Sequence, residues 1–288
     1  FVANVWHGTA IKFTGLLDKK LTYVKKRKMV KRDFSYYDLV TVSSEISRYY
    51  FAAAFRIDSD KVSVTGDPRQ DKYLFNRDQT NFDCSPRLEK VLYVPTFRDY
   101  EVHGGVFFPF EDFTYDRLLK FLQQNPSLVF YLRPHPNDNA SCFQAKYLER
   151  KFPDQIVDYS VKVCDDLDVE IFLFDILVSD YSSVHIEPLL DDVRCLFVPF
   201  DIDKYKDKRG IAYDYSLVCP GPSCLCFEDF CVELVNYMDG RDEYSKNRDV
   251  TRRMFLTHVD GQACKRIEAE LVERIGLEKP TSEHRGDA

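Results

Sequence analysis

The stretch Ile171-Phe-Leu-Phe-Asp-Ile-Leu-Val-Ser-Asp-Tyr-Ser-Ser-Val-His-Ile-Glu-Pro-Leu-Leu190 decides the fold of this chain. Its first half is an apolar run rich in Ile, Val and Phe, which is typical of a strand buried on both faces of a parallel sheet. The run stops at Asp180-Tyr-Ser-Ser183, and the pattern predicts a helix before the next apolar run, Cys195-Leu-Phe-Val198. A strand, a hydroxyl-rich turn, a helix and a second strand together predict an α/β unit.

The turn at Asp180–Ser183 has two interpretations. Ligands of open parallel sheets bind beyond the carboxyl ends of the strands. Ser182 and Ser183, at the start of a helix, would offer hydroxyls and free backbone N–H groups to an anion, with the helix dipole behind them. Serine is also a preferred helix N-cap, so simple capping explains the same residues. This stretch alone leaves both interpretations open.

The composition limits the class of protein. The 288 residues suffice for about two domains. The net charge of −7, from 40 basic and 47 acidic residues, argues against nucleic acid as a partner. Nine scattered cysteines suit a reducing cytoplasm. No apolar run is long enough to span a membrane and no signal peptide is visible. Because Phe1 already lies in an apparent strand, we expect the natural N-terminus to lie upstream.

Strands and helices alternate along the chain, which predicts parallel sheets. Residues 76–89 are polar and lack periodicity, and we interpret them as a linker. The predicted architecture is two α/β halves that face each other across a cleft. They are a partial N-terminal domain at 1–80 and a C-terminal domain at 90–277, followed by a polar tail at 278–288.

Unusual polar residues follow successive predicted strands. They are His7, Gly66 to Arg69, Arg98, His135 and Asp180 to Ser183. Because the carboxyl ends of parallel strands share one edge of a sheet, these residues are expected to line the cleft.

His7 is the candidate general base, since the pKa of histidine lies near neutrality. Gly8 would let a ligand approach the backbone, and Thr9 is a plausible helix cap. The alternative for His7 is a structural histidine that is hydrogen-bonded to the backbone.

Four further side chains suit a phosphorylated, nucleotide-like ligand. His135 is held between two prolines and, with Arg133 beside it, fits the stabilisation of phosphate charge. Arg98 fits the same role, or a salt bridge to Asp99 or another acid. Glu187 lies one turn past the serines and suits ribose hydroxyls, with a solvent-facing helix acid as the alternative.

Three other features have open interpretations. Tyr205, Arg209 and Gly210 lie in a loop that could close over a ligand. The basic run Lys19–Arg32 is either a solvated helix face or a patch for anionic lipid heads or a polyphosphate acceptor. The group Cys219, Cys224, Cys226 and Cys231 lacks paired zinc-site spacing, so buried thiols are favoured over zinc.

These motifs together resemble the CDP-glycerol glycerophosphotransferases, which build teichoic acids and related capsule polymers. The matching strings are Trp6-His-Gly-Thr9 with Lys12, Thr65-Gly-Asp-Pro-Arg-Gln-Asp71, Tyr93-Val-Pro-Thr-Phe-Arg-Asp99, Leu132-Arg-Pro-His-Pro136, Val178-Ser-Asp-Tyr-Ser-Ser-Val184, Asp201 through Arg209-Gly210, Pro220-Gly-Pro222 and Asp260-Gly-Gln-Ala263. Each string is weak alone, whereas the ordered set is specific.

The resemblance implies a GT-B fold and the transfer of glycerol phosphate from CDP-glycerol to the end hydroxyl of a growing polymer, with release of CMP. It implies His7 as the base and His135 as the second catalytic residue. The expected substrate contacts are Gly8, Thr9, Lys12, Arg69, Arg98, Arg133, Asp180, Ser182, Ser183, Glu187 and Arg209. No metal and no cofactor are expected.

The resemblance further implies a cytoplasmic enzyme bound peripherally to the inner face of the cell membrane. Glu187 stands where the family usually has Asp, and Pro188 replaces a bulky apolar residue. CDP-ribitol transferases share the same strings, so the polyol of the donor stays open. A non-catalytic member that only binds nucleotide or polymer is the remaining alternative.

Overall fold

The computed structural model describes residues 1–6, 8–29, 36–79, 88–98 and 107–276, with backbone only at 29, 76–79 and 168–169. The strands are β1 Ala3–Asn4, β2 Leu39–Val42, β3 Val62–Val64, β4 Glu89–Tyr93, β5 Leu128–Leu132, β6 Ile156–Asp158, β7 Ile176–Ser179 and β8 Arg194–Phe197. The α-helices are α1 Tyr23–Met29, α2 Glu45–Phe55, α3 Pro68–Gln79, α4 Tyr115–Gln124, α5 Asn139–Lys151, α6 Leu167–Glu170, α7 Ile202–Lys208, α8 Tyr215–Val218, α9 Phe227–Met238, α10 Ser245–Phe255 and α11 Ala263–Ile275.

The strands form two parallel sheets, which confirms the predicted α/β class. One sheet has the order β1-β2-β3 and the other the order β6-β5-β4-β7-β8. In the larger sheet the chain moves outward in one direction from β4 through β5 to β6, and then in the other direction through β7 to β8. The strand order therefore reverses between β4 and β7, where open α/β sheets bind their ligands.

The larger sheet is buried on both faces, as its apolar strands predict. Successive residues of β4 alternate between two cores, with Val91 and Tyr93 on one face and Leu92 on the other. Helices α4 and α9 cover the first face, where Phe227 and Phe230 pack against the strands. The core positions the carboxyl edge of the sheet.

Helices near the end of the sequence contact the smaller sheet and its helices. The Asp71 carboxylate on α3 accepts hydrogen bonds from the backbone N–H groups of Ala263 and Cys264, which begin α11. Near its other end, Arg274 donates to the backbone oxygens of Asp38 and Asp60. The sequence-based partition at 90 groups α11 with the second half, whereas its contacts join it to residues of the first.

The segment after the serines corrects one prediction. Two short 3₁₀ turns, Ser183–His185 and Glu187–Asp191, replace the predicted helix. Pro188 has no N–H to continue a hydrogen-bonded helix, and Asp192 ends the second turn in the left-handed region at φ 53°. The aligned peptide dipoles expected behind the serines are therefore missing.

Two segment boundaries also differ from the predictions. The strand expected from Ile171 begins at Ile176, because Ile171–Leu173 forms a 3₁₀ turn. The linker expected at 76–89 begins inside α3, and its central part, 80–87, lies outside the described residues, as does the tail at 278–288. No helix in the described ranges combines the length and apolar character needed to span a bilayer.

Candidate active site

The loops after β4 and β7 are joined at the point where the strand order reverses. The Thr96 backbone N–H donates to both carboxylate oxygens of Asp180, at 3.0 and 3.1 Å. One residue earlier, the Ser179 hydroxyl donates to the backbone oxygen of Val94 at 2.9 Å. These bonds give the predicted ligand-binding edge a defined backbone shape.

Arg98 is fully buried within this edge. Its guanidinium lies 2.9 Å from Asp180 and contacts both carboxylate oxygens of Asp201 at 2.9 Å. Although burial alone would lower the pKa of Arg98, hydrogen bonding to Asp201 and the charge of Asp180 raise it. Of the two interpretations of Arg98, the structure shows the ion pair. The side chain supports the loops and presents no exposed charge.

Three tyrosines complete this network: Tyr181 lies in the Asp180–Ser183 turn, Tyr205 lies in the loop suggested to close over a ligand, and Tyr215 was not singled out from the sequence. The Tyr181 hydroxyl donates to Asp201 at 2.9 Å, and its ring stacks on Tyr205 with centroids 4.0 Å apart. The Tyr215 hydroxyl donates to the backbone oxygen of Asp180 at 2.9 Å. Asp201 follows β8, so it could have been found by the same criterion as the other candidates, a polar residue that follows a strand.

Arg133 stabilises the loop after β5 from within. The side chain is buried and its guanidinium donates to the backbone oxygens of Tyr159 and Cys164. These bonds tie the loop after β5 to the chain that follows β6. The sequence suggested that Arg133 stabilises phosphate charge. In the structure its guanidinium instead donates to backbone carbonyl oxygens.

His135 is solvent-accessible, and its ring orientation is set by two contacts. The imidazole stacks on Phe97, with centroids 4.9 Å apart and planes 14° apart. Its Nδ1 accepts the Asn137 backbone N–H at 3.2 Å, which places the proton of the neutral ring on Nε2. Partial desolvation lowers the pKa of His135, Asp138 opposes this, and nearby Lys12 adds to it. A neutral ring of this tautomer can donate a hydrogen bond to an anionic ligand.

The two serines lie at the same edge on half-buried turns. The Ser182 hydroxyl accepts the Val184 backbone N–H at 3.3 Å, so capping is part of its role. Behind it, the buried ring of His185 has Nδ1 2.8 Å from the Ser182 carbonyl oxygen and Nε2 2.6 Å from the Val218 carbonyl oxygen. His185 therefore links the serine turn to α8. This link lies in the segment after Ser183, where the sequence predicted a helix.

His7 lies outside the described residues, but its neighbours are well defined. Gly8 has φ 110°, and a Cβ atom there would lie 2.3 Å from Nη2 of Arg69. The Thr9 side chain is buried, and its hydroxyl has no hydrogen-bond partner among the described residues. The turn that follows His7 thus packs directly against Arg69.

Arg69 joins this turn to the loop after β7. Its guanidinium lies 3.1 Å from Asp67 and 2.8 Å from Glu187. The suggestion of a solvent-facing acid at position 187 is wrong, because the Glu187 side chain is only 12% exposed. Its contact with a ribose remains a prediction.

Lys12 and Arg209 lie where the start of the chain meets the loop after α7. The Ile11 carbonyl oxygen accepts a hydrogen bond from the backbone N–H of Ala212. The backbone N–H of Phe13 donates to the carbonyl oxygen of Gly210. The Lys12 ammonium lies 5.9 Å from the centroid of the Tyr205 ring. The charge of Lys12 lowers the pKa of His135, although more than 120 residues separate the two in the sequence.

The structure offers no grouping for a metal ion among its described residues. No three His, Cys, Asp or Glu side chains in those ranges are arranged to hold one. Of the cysteine group, Cys219 and Cys224 are buried and Cys226 and Cys231 are half-buried.

The basic run forms an exposed helix, α1. Lys25, Arg27 and Lys28 are exposed, and Tyr23 and Val24 beside them are 77% and 63% exposed. Residues 30–35 of the run lie outside the described part of the chain.

Comparisons with known proteins show which proteins this chain is similar to. The family model described as CDP-glycerol:poly(glycerophosphate) glycerophosphotransferase matches residues 1–273. The teichoic acid glycerol-phosphate primase of Bacillus subtilis (strain 168) is 31% identical over 250 residues, which cover 84% of this chain and 60% of that protein. The teichoic acid poly(ribitol-phosphate) polymerase of Bacillus spizizenii is 26% identical over 244 residues, which cover 82% of this chain and 37% of that protein. The chain therefore spans less than two thirds of either relative.

A solved structure of the wall teichoic acid polymerase TagF has the same fold. It superposes with a TM-score of 0.73 at 23% sequence identity, over 95% of this chain and 69% of that one.

Proposed function

This chain belongs to the CDP-glycerol:poly(glycerophosphate) glycerophosphotransferase family, and on that premise we propose that it transfers glycerol phosphate from CDP-glycerol to the terminal hydroxyl of a poly(polyol phosphate), teichoic acid or capsule acceptor. The observation that carries the proposal is the placement of His135 and the Ser182–Ser183 turn after β5 and β7, on either side of β4. This is the edge at which open α/β sheets bind nucleotides.

The reaction needs positioning and charge stabilisation more than covalent help. The acceptor oxygen attacks the phosphorus that carries glycerol, the bond from that phosphorus to the CMP oxygen breaks, and CMP leaves with its negative charge. His7 takes the proton of the acceptor hydroxyl. His135, through its Nε2–H, and the serine hydroxyls hold the pyrophosphate.

The same proposal assigns a GT-B arrangement, with the acceptor on the first half and the donor on the second. Its support is the pairing of residues 11–13 with 210–212, across which the charge of Lys12 lowers the pKa of His135. Arg98, Asp180 and Arg133 act within the donor half by holding its loops, because Arg98 and Asp180 pair with each other and Arg133 donates to two backbone oxygens.

Release of CMP tests the activity directly. Purified protein is incubated with CDP-glycerol or CDP-ribitol and a synthetic oligo(polyol phosphate), and CMP is quantified. Release with CDP-glycerol supports the proposal, and release with CDP-ribitol alone identifies the second candidate, which a relative named as a poly(ribitol-phosphate) polymerase favours. No release with either donor contradicts both.

The His7→Ala variant separates catalysis from binding. Loss of turnover with unchanged donor affinity is the expected result, because a general base contributes to the transition state and not to donor binding. Activity that survives the substitution would show that His7 is not the base. A wild-type protein that binds CDP-glycerol without turnover would be a non-catalytic member.

We also propose that the protein works at the inner face of the cell membrane, through α1. The exposed cations Lys25, Arg27 and Lys28 would attract anionic lipid heads, and Tyr23 would enter the interface.

Replacing the three cations with glutamine should release the protein from anionic vesicles, and salt should do the same. The matched control replaces three exposed cations elsewhere, Lys120, Lys146 and Arg150. Equal binding by both variants would exclude α1 as the membrane contact.

A further inference from the structure

We propose that Arg69 is a positioning residue, which with Glu187 holds the Gly8–Thr9 turn against the loop after β7 and does not bind the donor. The inference rests on the proposed function, because it assigns the pair a role in that reaction. It changes the expectation from sequence, in which Arg69 and Glu187 each contact a substrate.

The positive charge of Arg69 is already compensated within the protein. Arg69 lies 2.8 Å from Glu187 and 3.1 Å from Asp67, and its Nε lies 3.3 Å from each oxygen of Asp67. The guanidinium thus lies between two carboxylates. An arginine in that setting has no surplus positive charge for a phosphate, which would be repelled by the two acids.

The guanidinium also forms one wall of the turn at Gly8. With φ 110°, Gly8 presents its backbone to Arg69, and a Cβ atom there would lie 2.3 Å from Nη2 and 3.2 Å from Cζ. The same Nη2 atom makes the contact with Glu187. Arg69 therefore packs against Gly8 on one side and contacts Glu187 on the other. Glu187 lies 118 positions after Arg69 in the sequence.

The cluster is sufficiently shielded to impose this geometry. The side chains of Asp67 and Glu187 are 8% and 12% exposed, and that of Arg69 is 31% exposed. Removing one partner weakens the compensation of a partly desolvated charge, and the loops would respond by moving. Gly8 is bonded to His7, the proposed base, and a displacement of about 1 Å can lower the rate of an enzyme roughly 100-fold.

The test compares Arg69→Gln, Glu187→Gln and the double variant. For a positioning pair, each single variant should lower kcat by about 10- to 100-fold while the Kd for CDP-glycerol changes by less than about threefold. The double variant should be no slower than the slower single variant, because both substitutions remove one interaction. Arg69→Lys should recover part of the lost kcat, since an ammonium retains the charge.

Hydrogen–deuterium exchange measures the same pair without activity. Glu187→Gln should speed exchange in peptides that contain Gly8 and Thr9, far away in the sequence. The matched control is Glu228→Gln, which removes a carboxylate paired with Arg117 at 3.6 Å on α9. It should leave exchange at Gly8 and Thr9 unchanged.

Two outcomes overturn the inference. A rise of about tenfold or more in the Kd for CDP-glycerol, with kcat retained, would make Arg69 or Glu187 a donor contact. Unchanged exchange at Gly8 and Thr9 in Glu187→Gln would show that the pair does not hold the turn. Absence of CMP release from the wild-type protein would instead contradict the proposed function, and the exchange measurement would still decide on the pair.

Discussion

The Arg98 guanidinium and the Asp180 carboxylate form a buried ion pair, with 2.9 Å between Nη2 and Oδ2, two residues before the Ser182 hydroxyl. Asp201 contributes a second carboxylate to the same guanidinium. Arg98 is inaccessible to solvent, so its role is structural: it holds Asp180, the residue at the start of the serine turn. Asp180 also accepts the backbone N–H of Thr96. The polar edge of the larger sheet is thus a preformed structure.

The first prediction concerns this pair. Arg98→Gln should destabilise the protein by about 3–5 kcal/mol, because it leaves buried carboxylates without their cation. Urea unfolding followed by circular dichroism measures the loss. Arg241→Gln is the control, since Arg241 and its partner Asp239 are both more than half exposed and the pair should contribute little. Similar losses in the two variants would contradict the structural role of Arg98.

Local pattern predicted the strands and the edge they share, whereas the partners of the polar residues needed the folded chain. The five consecutive apolar or aromatic residues Leu128–Leu132 fit a buried strand, and they form β5 at those bounds. The partner of Arg98 could not be identified, since Asp201 lies 103 residues away and approaches through the strand order.

The serine turn shows how a local pattern can mislead. Val184, Ile186 and Leu189 supply apolar positions that a helix could bury, yet the chain forms 3₁₀ turns around Pro188. The turn is held by the contact between His185 and Val218, and not by the hydrogen bonds of a continuous helix. Periodicity reports which side chains are buried and not which backbone hydrogen bonds form.

The second prediction concerns the charge around His135. Its pKa should lie below the ordinary value of 6.5, chiefly because of partial desolvation. Lys12→Met should raise the pKa by removing a neighbouring cation, and Asp138→Asn should lower it by removing an anion. NMR titration of the ring protons measures both. Lys265→Met, an exposed position on α11, is the control and should leave the titration of His135 unchanged. A lower pKa in Lys12→Met would exclude the proposed approach of Lys12 to His135.

The third prediction concerns acid sensitivity at His185. Burial lowers the pKa of His185 from 6.5 to about 4, against the opposing effect of its two carbonyl contacts. The unfolded chain therefore binds a proton more readily, so this residue reduces stability as the pH falls from 6.5 toward 4.

Between pH 7 and pH 5 the wild-type protein should lose about 2 kcal/mol that His185→Gln and His185→Phe do not lose. Urea unfolding at the two pH values measures the difference within each protein, so a lower stability of either variant at pH 7 does not affect it. Parallel pH dependence in all three proteins would contradict the lowered pKa of His185.

The fourth prediction concerns the contact between Gly210 and Phe13, which helps to join the start of the chain to the loop after α7. Gly210 has φ 80°, and a Cβ atom there would lie 2.1 Å from the Phe13 ring. Gly240 has a similar φ of 75° with nothing within 4 Å of its Cβ position. Gly240→Ala therefore measures the cost of the left-handed backbone alone, about 1–2 kcal/mol.

Gly210→Ala should cost about 1–3 kcal/mol more than this control, because the ring or the backbone must move. Adding Phe13→Leu to Gly210→Ala should restore part of the difference, since a smaller side chain makes room for the methyl group. CMP release should fall in Gly210→Ala and not in Gly240→Ala if the pairing of residues 11–13 with 210–212 also sets the position of Lys12. Urea unfolding of the three variants, with CMP release measured in parallel, separates the two effects. Equal losses of stability at positions 210 and 240 would show that Phe13 does not pack against Gly210.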